Sequence, residues 1–377
     1  MIPKSVWSGR SRTLSFRKRT AMPRHLSNGC SLRSQAIFSI RTKEGSFDMK
    51  ILVAGGAGYI GSVMIPHLLA RGYSVDVTDL FWFGNHLPER VGLINKNIFD
   101  LSEADLADYD TVIFLAGLSN DPMAEFSPAQ NFISNASAPA YLGYISKKAG
   151  VKRFVYASSC SVYGYTVDEL YDEESPAVCG YPYGISKLQG EQAVMQMQND
   201  DFSVIALRQG TVSGYSPRMR LDLVVNTMFK SAVTTGEITV NNPAIWRPVL
   251  GIRDAAMAYI RAIEANASIS GVFNVASGNY TVGEIGDLVM SGVKKFLHKG
   301  VKLNIKHIQD YRNYKVSIEK AKKVLSFHPQ HNVGSIVEDL VENLDRFKDF
   351  DNPNYYNIQV FKRLARENDS QPGREKS

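Results

Sequence analysis

The chain has 377 residues, 44% apolar, 10% aromatic and 21% charged, with only 3 cysteines. These values exclude a disordered, collagenous or coiled-coil protein, and Cys30, Cys160 and Cys179 have no spacing for a metal site or disulfide framework, so a reducing compartment is expected. The formal net charge is +6, but residues 1–48 carry ten basic side chains against Glu44 and Asp48, which leaves residues 49–377 at −2 and gives no general attraction for nucleic acid.

Residues 1–48 are rich in Arg and Ser and nearly free of acids. That composition suits an organellar transit peptide. It also fits a start assigned too far upstream, because Met49-Lys50-Ile51 opens a strand as a native N-terminus would. The segment is expected to be an unstructured leader. The protein is then cytoplasmic, or resides in an organellar stroma or matrix if the leader is a transit peptide. No membrane span is expected: the most apolar window, 51–70, holds four glycines, Pro66 and His67.

From Met49 strand and helix alternate. Lys50–Ala54 reads as a buried strand, 62–71 as a helix and Ser74–Thr78 as a second strand. Segments 111–115 and 153–157 are strand-length apolar runs, with a helical stretch, 130–149, between them. A helix over 184–198 and a strand over 203–207 follow. Such alternation predicts an α/β protein with a doubly wound parallel sheet covered on both faces. After Gly214 the alternation breaks down, which predicts a smaller α/β lobe. The expected division is 49–212, with return segments near 249–276, for the sheet domain, and 213–248 with 277–345 for the lobe. A flexible tail is expected over 365–377.

The first strand runs into Gly55-Gly56-Ala57-Gly58-Tyr59-Ile60-Gly61, the spacing GxxGxxG. Gly55 permits a tight turn, Gly58 lets backbone approach a pyrophosphate, and Gly61 allows close packing where the next helix begins. Tyr59 and Ile60 are counted with this dinucleotide site. Asp79 ends the second strand, where an acid accepts hydrogen bonds from ribose hydroxyls and repels a 2′-phosphate. NAD is therefore expected over NADP. Asp100-Leu101, after a third strand, is a candidate for the adenine side.

Tyr183 and Lys187 form a YxxxK motif, and residues i and i+4 share a helix face. A free tyrosine has a pKa near 10 and is a poor base at neutral pH. An adjacent ammonium favours the phenolate. The pair lies on the helix after the strand that ends in Ser158-Ser159-Cys160-Ser161-Val162-Tyr163-Gly164.

Together with Phe114-Leu115-Ala116-Gly117 and the stretch from Arg247 to Asp254, these ordered motifs resemble the extended short-chain dehydrogenases/reductases that act on nucleotide sugars. The resemblance covers about residues 50–329 and is similar to the UDP-glucose/galactose 4-epimerases. It implies a Rossmann-like sheet, NAD as cofactor, a nucleotide-diphosphate sugar as substrate, no metal, and a homodimer through helices around 130–149 and 184–198. Carried onto this sequence, Ser159 is the catalytic hydroxyl, Tyr183 the general acid/base, and Lys187 the residue that holds the nicotinamide ribose and depresses the tyrosine pKa. Asn135 supports the site, and Leu115, Ala116, Gly117 and Ser158 line the cofactor.

Family dehydratases place Asp-Glu directly after the catalytic hydroxyl, where this chain has Cys160 and Ser161. What remains needs only Tyr, Ser and NAD: 4-epimerisation through a 4-keto intermediate. A 4-keto reductase needs the same residues, and a non-catalytic NAD-binding regulator shares the fold. On the substrate side Thr211 stands where the family has an asparagine, and Gln209 replaces an aromatic. Arg218, Arg220, Arg247 and Arg312 are candidates for the substrate diphosphate, because guanidinium forks match phosphate oxygens. Asn226 is a further substrate candidate.

Overall fold

The computed structural model describes residues 49–307 and 313–369; the leader, Arg312 and residues 370–377 lie outside the described residues. The chain begins with β1 (Lys50–Ala54), α1 (Gly61–Ala70), β2 (Ser74–Thr78), β3 (Gly92–Ile94), α2 (Glu103–Leu106) and β4 (Thr111–Phe114). Next come α3 (Asp121–Phe126), α4 (Pro128–Phe132), α5 (Ala138–Lys148), β5 (Arg153–Ser159), β6 (Tyr165–Tyr171), α6 (Pro182–Met195), β7 (Ser203–Gln209) and β8 (Thr211–Ser213). The rest is α7 (Val224–Thr234), β9 (Glu237–Asn241), β10 (Trp246–Gly251), α8 (Ile252–Glu264), β11 (Gly271–Val275), β12 (Gly278–Thr281), α9 (Val282–Leu297), β13 (Lys302–Lys306), β14 (Asn313–Val316), α10 (Glu319–Leu325), α11 (Val333–Glu342) and α12 (Asn357–Asp369).

Seven strands pair in the order β11-β7-β5-β4-β1-β2-β3, all parallel. The order reverses between β1 and β4, and such a switch point leaves a crevice beyond the carboxyl ends of the strands. Every residue of β4 and β5 is buried, as expected of parallel strands covered by helices on both faces. Side chains alternate between the faces with period two. Ile51, Val53, Ile113, Val155 and Ile205 pack with Met64, Ile65 and Leu68 of α1 and Tyr259 and Ile263 of α8. Leu52, Ala54, Val112, Phe114, Phe154 and Tyr156 pack with Leu142 and Ile145 of α5 and Val194 of α6. A third core joins Val225 and Phe229 of α7, Ile238 and Val240 of β9, Ile285 and Val289 of α9, and Val337 and Leu340 of α11.

Several boundaries differ from expectation. The stretch 130–149 is not one α-helix: a π turn, Ile133–Ser137, separates α4 from α5. Of the return expected near 249–276, only β11 joins the large sheet. β10 pairs with β8 and β12 in a separate three-stranded sheet, and from Ile252 the chain is already α8. Residues 319–327, expected in the lobe, place Ala321, Leu325 and Phe327 in the core of the large sheet. Residues 365–369 of the expected flexible tail continue α12. Among the described residues no helix is long and apolar enough to cross a membrane.

Candidate functional site

The loop after β1 turns at Gly55, whose φ is +78°, and a Cβ there would stand 2.5 Å from the Ala116 nitrogen. At Gly61 a Cβ would meet the Gly56 carbonyl oxygen. Gly55 thus lets the loop meet the Leu115–Ala116 backbone at the end of the sheet. The crowding at Gly61 is with its own loop rather than with a strand. α1 has no side-chain cap and no acid in its first turn; the Ser62 and Val63 N–H groups already go to the Gly58 and Ile60 carbonyls, and the positive end of the helix dipole is left to an anion. Asp79 braces this loop. Its carboxylate accepts from the Ala57 N–H at 3.0 Å and the Phe81 N–H at 2.8 Å. Burial pushes this carboxyl up, and those backbone donors oppose the shift. A glycine cradle, an uncapped helix N-terminus and an acid at the end of β2 are what a dinucleotide's pyrophosphate and ribose require. These residues fit NAD.

Not every cofactor candidate reaches the site. Asp100 is exposed in a 3₁₀ turn, and the Leu101 side chain belongs to the core, so neither is on the cavity wall. Ala116, which holds the loop through its N–H to the Ala54 carbonyl, does not line this cavity, and neither do Gly61 and the partly exposed Asp79. Asn135 is fully buried in the π turn and donates to the Leu118 carbonyl at 2.9 Å and to Asn131 Oδ1 at 2.8 Å. It positions the segment after β4 from behind. π turns often mark functional sites, and this one places Asn135 against Gly117, where a Cβ would collide with its Oδ1.

At the carboxyl end of β5, Ser159 caps a 3₁₀ turn by accepting the Ser161 N–H at 3.1 Å. Tyr183 follows Pro182 at the start of α6 and shares the cavity wall with Ser159. Lys187, one turn later, donates to the Ala157 carbonyl at 2.7 Å and stands 5.0 Å over the Tyr156 ring. Burial pushes the Tyr183 phenol up to about 12, with the Ser159 side chain opposing it, and holds the Lys187 ammonium down at about 7. The expected depression of the tyrosine by the lysine is thus not produced by these side chains alone: burial dominates both groups.

Gly55, Gly58, Tyr59, Ile60, Leu115, Gly117, Ser158, Ser159, Tyr183 and Lys187 border one cavity of about 560 Å³, together with Thr211, Arg218, Arg220 and Arg247 of the second lobe. Arg220 forks onto Asp222 at 2.9 and 3.0 Å and donates to Ser119 Oγ at 2.9 Å. Arg247 lies beside Tyr314, 5.7 Å from its ring centre. Asn226 does not line the cavity. Its side-chain N–H groups go to the Arg220 carbonyl at 2.8 Å and the Gly214 carbonyl at 3.2 Å, and its Oδ1 accepts the Gly214 N–H, so it ties the 214–220 loop together. Cys160 also stays off the wall. Its thiol donates to the Arg208 carbonyl at 3.1 Å, and burial pushes it up.

The structure adds wall residues that sequence reasoning missed: Phe83, Ser119, Asp121, Asp222, Tyr314 and Asn357. Asp222 had a local signal, standing two residues after Arg220. Asn357 had none, because it arrives from the last helix.

A family model described as the NAD dependent epimerase/dehydratase family matches residues 51–276. The chain is 28% identical over 271 residues to the UDP-glucose 4-epimerase of Bacillus subtilis (strain 168), covering 63% of this chain and 80% of that protein. It is 27% identical over 312 residues to the UDP-glucose 4-epimerase of Corynebacterium glutamicum, covering 77% and 94%. Among solved structures it resembles MoeE5 in complex with UDP-glucose and NAD, with a TM-score of 0.69 and 26% identity, over 79% of this chain and 99% of that one.

Proposed function

The chain belongs to the NAD dependent epimerase/dehydratase family, and from that premise we propose that it is an NAD-dependent 4-epimerase of a nucleoside-diphosphate sugar. The observation that carries this reading is that the glycine loop and the Ser159–Tyr183 pair border the same cavity. A sugar hydroxyl held by that pair would face the end of the cofactor that the glycine loop positions. The relatives named above are UDP-glucose 4-epimerases, which makes a UDP-hexose the first substrate to test.

The chemistry NAD supplies when bound is reversible hydride acceptance at C4 of the sugar. Tyr183 exchanges the proton of the 4-hydroxyl, and Ser159 holds that oxygen in place. Lys187 lies one turn from Tyr183 and borders the same wall, where it holds the cofactor's ribose. Arg247 and Thr211 serve the substrate's nucleotide diphosphate from the second lobe. Elimination of water would need an acid–base pair directly after Ser159. Cys160 is turned to a backbone carbonyl and Ser161 is a neutral hydroxyl, so the site favours epimerisation.

The chain is also proposed to form a homodimer through the helices around α5 and α6, where Ile133 and Tyr144 stand exposed at 43% and 50%. The activity is tested by incubating the full chain with a panel of nucleotide sugars and separating the products by chromatography. Interconversion of C4 epimers without net NADH formation is expected. Accumulation of a keto sugar, or of a reduced product only with added NADH, would overturn the reading.

A further inference from the structure

The cofactor's diphosphate brings two negative charges into a cleft whose own loop holds no cation: residues 55–61 include neither Lys nor Arg. Among the described residues the cavity wall carries four cations: Lys187, Arg218, Arg220 and Arg247. Lys187 is committed to the Ala157 carbonyl beside Tyr183, Arg220 is forked by Asp222, and Arg247 lies on the Tyr314 side. That leaves Arg218.

Arg218 sits on the cofactor side of the cleft. Its guanidinium lies 3.7 Å from the centre of the Phe83 ring, and Phe83 follows Asp79 by four residues. After burial, Arg220 and Asp222 act on it most strongly, followed by Tyr59 of the glycine loop and Asp79. Its orientation is fixed on three sides. One face lies on Phe83, Nη1 donates to the Met219 carbonyl at 3.3 Å, and Nη2 donates to Asn357 Oδ1 at 2.5 Å. The remaining edge is not satisfied: Nε is buried with no acceptor. The residue is 3% exposed and has no carboxylate among its hydrogen-bond partners. Asp222 and Asp79 act on it through space without a hydrogen bond, and a buried guanidinium that no anion touches becomes more favourable when a phosphate completes it.

We propose that Arg218 is a clamp for the cofactor's diphosphate, delivered across the cleft by the second lobe and held in register by Asn357 of α12. The clamp differs in role from Arg247, which faces the substrate. Burial, with Arg220 adding to it, holds the Arg218 guanidinium down at about 9, so it stays charged at neutral pH and gains from an anion. The inference rests on the NAD dependence of the family and not on the reaction at C4.

The test is calorimetric titration of the full chain and its Arg218→Gln variant with ADP-ribose, adenosine and UDP. Loss of a charge-assisted contact predicts a Kd for ADP-ribose about 10- to 100-fold weaker. Adenosine, which lacks the diphosphate, and UDP, which reports the substrate side, should bind as before. An unchanged ADP-ribose affinity overturns the clamp. A loss confined to UDP overturns it too and returns Arg218 to the substrate. Asn357→Ala keeps the charge but frees its orientation, and should weaken ADP-ribose in the same pattern by a smaller factor. If Arg218→Gln does not fold, unchanged ADP-ribose binding in Asn357→Ala overturns the proposal by itself. Failure of the epimerase reading would appear in product analysis and leave these affinities untouched.

Discussion

Arg208 closes a fork on Glu191, with N–H···O bonds of 3.0 and 2.7 Å, and both side chains are under a tenth exposed. The same carboxylate accepts the Ser158 hydroxyl at 2.6 Å, and Arg208 also donates to the Tyr163 oxygen at 2.8 Å. One buried pair thus joins β5, β7 and the helix that carries Tyr183 and Lys187. Removing one partner of such a pair leaves an uncompensated charge and costs about 3–5 kcal/mol. Glu191→Ala should therefore lose that much stability in denaturant unfolding. A loss below about 1 kcal/mol would show that the helix is held by its apolar face alone.

Tyr183→Phe removes the proton-transferring oxygen and leaves the ring. Turnover should fall about 10²–10⁴-fold, while NAD binding and unfolding midpoint stay near wild type. Ser159→Ala should be milder in turnover, since it deletes one hydrogen bond. It should also cost about 1 kcal/mol of stability, because the hydroxyl caps the turn at Cys160–Tyr163. Equal turnover losses in the two variants would contradict the division of roles.

Lys187 gives a pH signature. Burial holds it down at about 7 in the folded chain, against an ordinary value near 10.4 once unfolded. Between those values the unfolded chain binds more protons, so this group makes stability rise with pH. The stability of wild type relative to Lys187→Met should therefore increase from pH 7 to pH 9, by at most about 1.4 kcal/mol per unit. A difference that stays flat or shrinks over that range would place the lysine in solvent.

NAD should bind more tightly than NADP, and Asp79→Asn should narrow the ratio by removing the charge that repels a 2′-phosphate. Asp79→Ala should in addition weaken both nucleotides, because Ala57 and Phe81 lose their acceptor. Fluorescence titration with both nucleotides decides this; tighter NADP binding to wild type would reverse the assignment.

Ile133→Glu puts a charge on the exposed helical face proposed as the dimer contact. Light scattering should then report a monomer mass where wild type gives twice that value at micromolar concentration. A wild-type monomer would exclude the contact.

The parallel sheet was legible because each strand is a short apolar run and each helix follows it within the same local stretch. Tyr183 and Lys187 were legible for a similar reason: one helical turn relates them, whatever the rest of the chain does. Asp100 was a candidate for the adenine side, yet it lies in an exposed 3₁₀ turn six residues past the end of β3. Where that third strand would end is not encoded locally, because β3 is only three residues long. Asn226 was a polar residue on a lobe helix, indistinguishable in sequence from a ligand. The Gly214–Arg220 loop that it ties down becomes visible only in three dimensions. Asn357 joins Ser119 across 238 residues of chain, a separation over which no pattern can be read.

That last contact has a temporal side. The strands and glycine loop of the cradle are complete long before Asn357, which lies 139 residues beyond Arg218, leaves the ribosome. Leu221 likewise waits for the carbonyl of Tyr355. Domains fold from the N-terminal side during synthesis, so a nascent chain presents an open cradle first and receives its cover last.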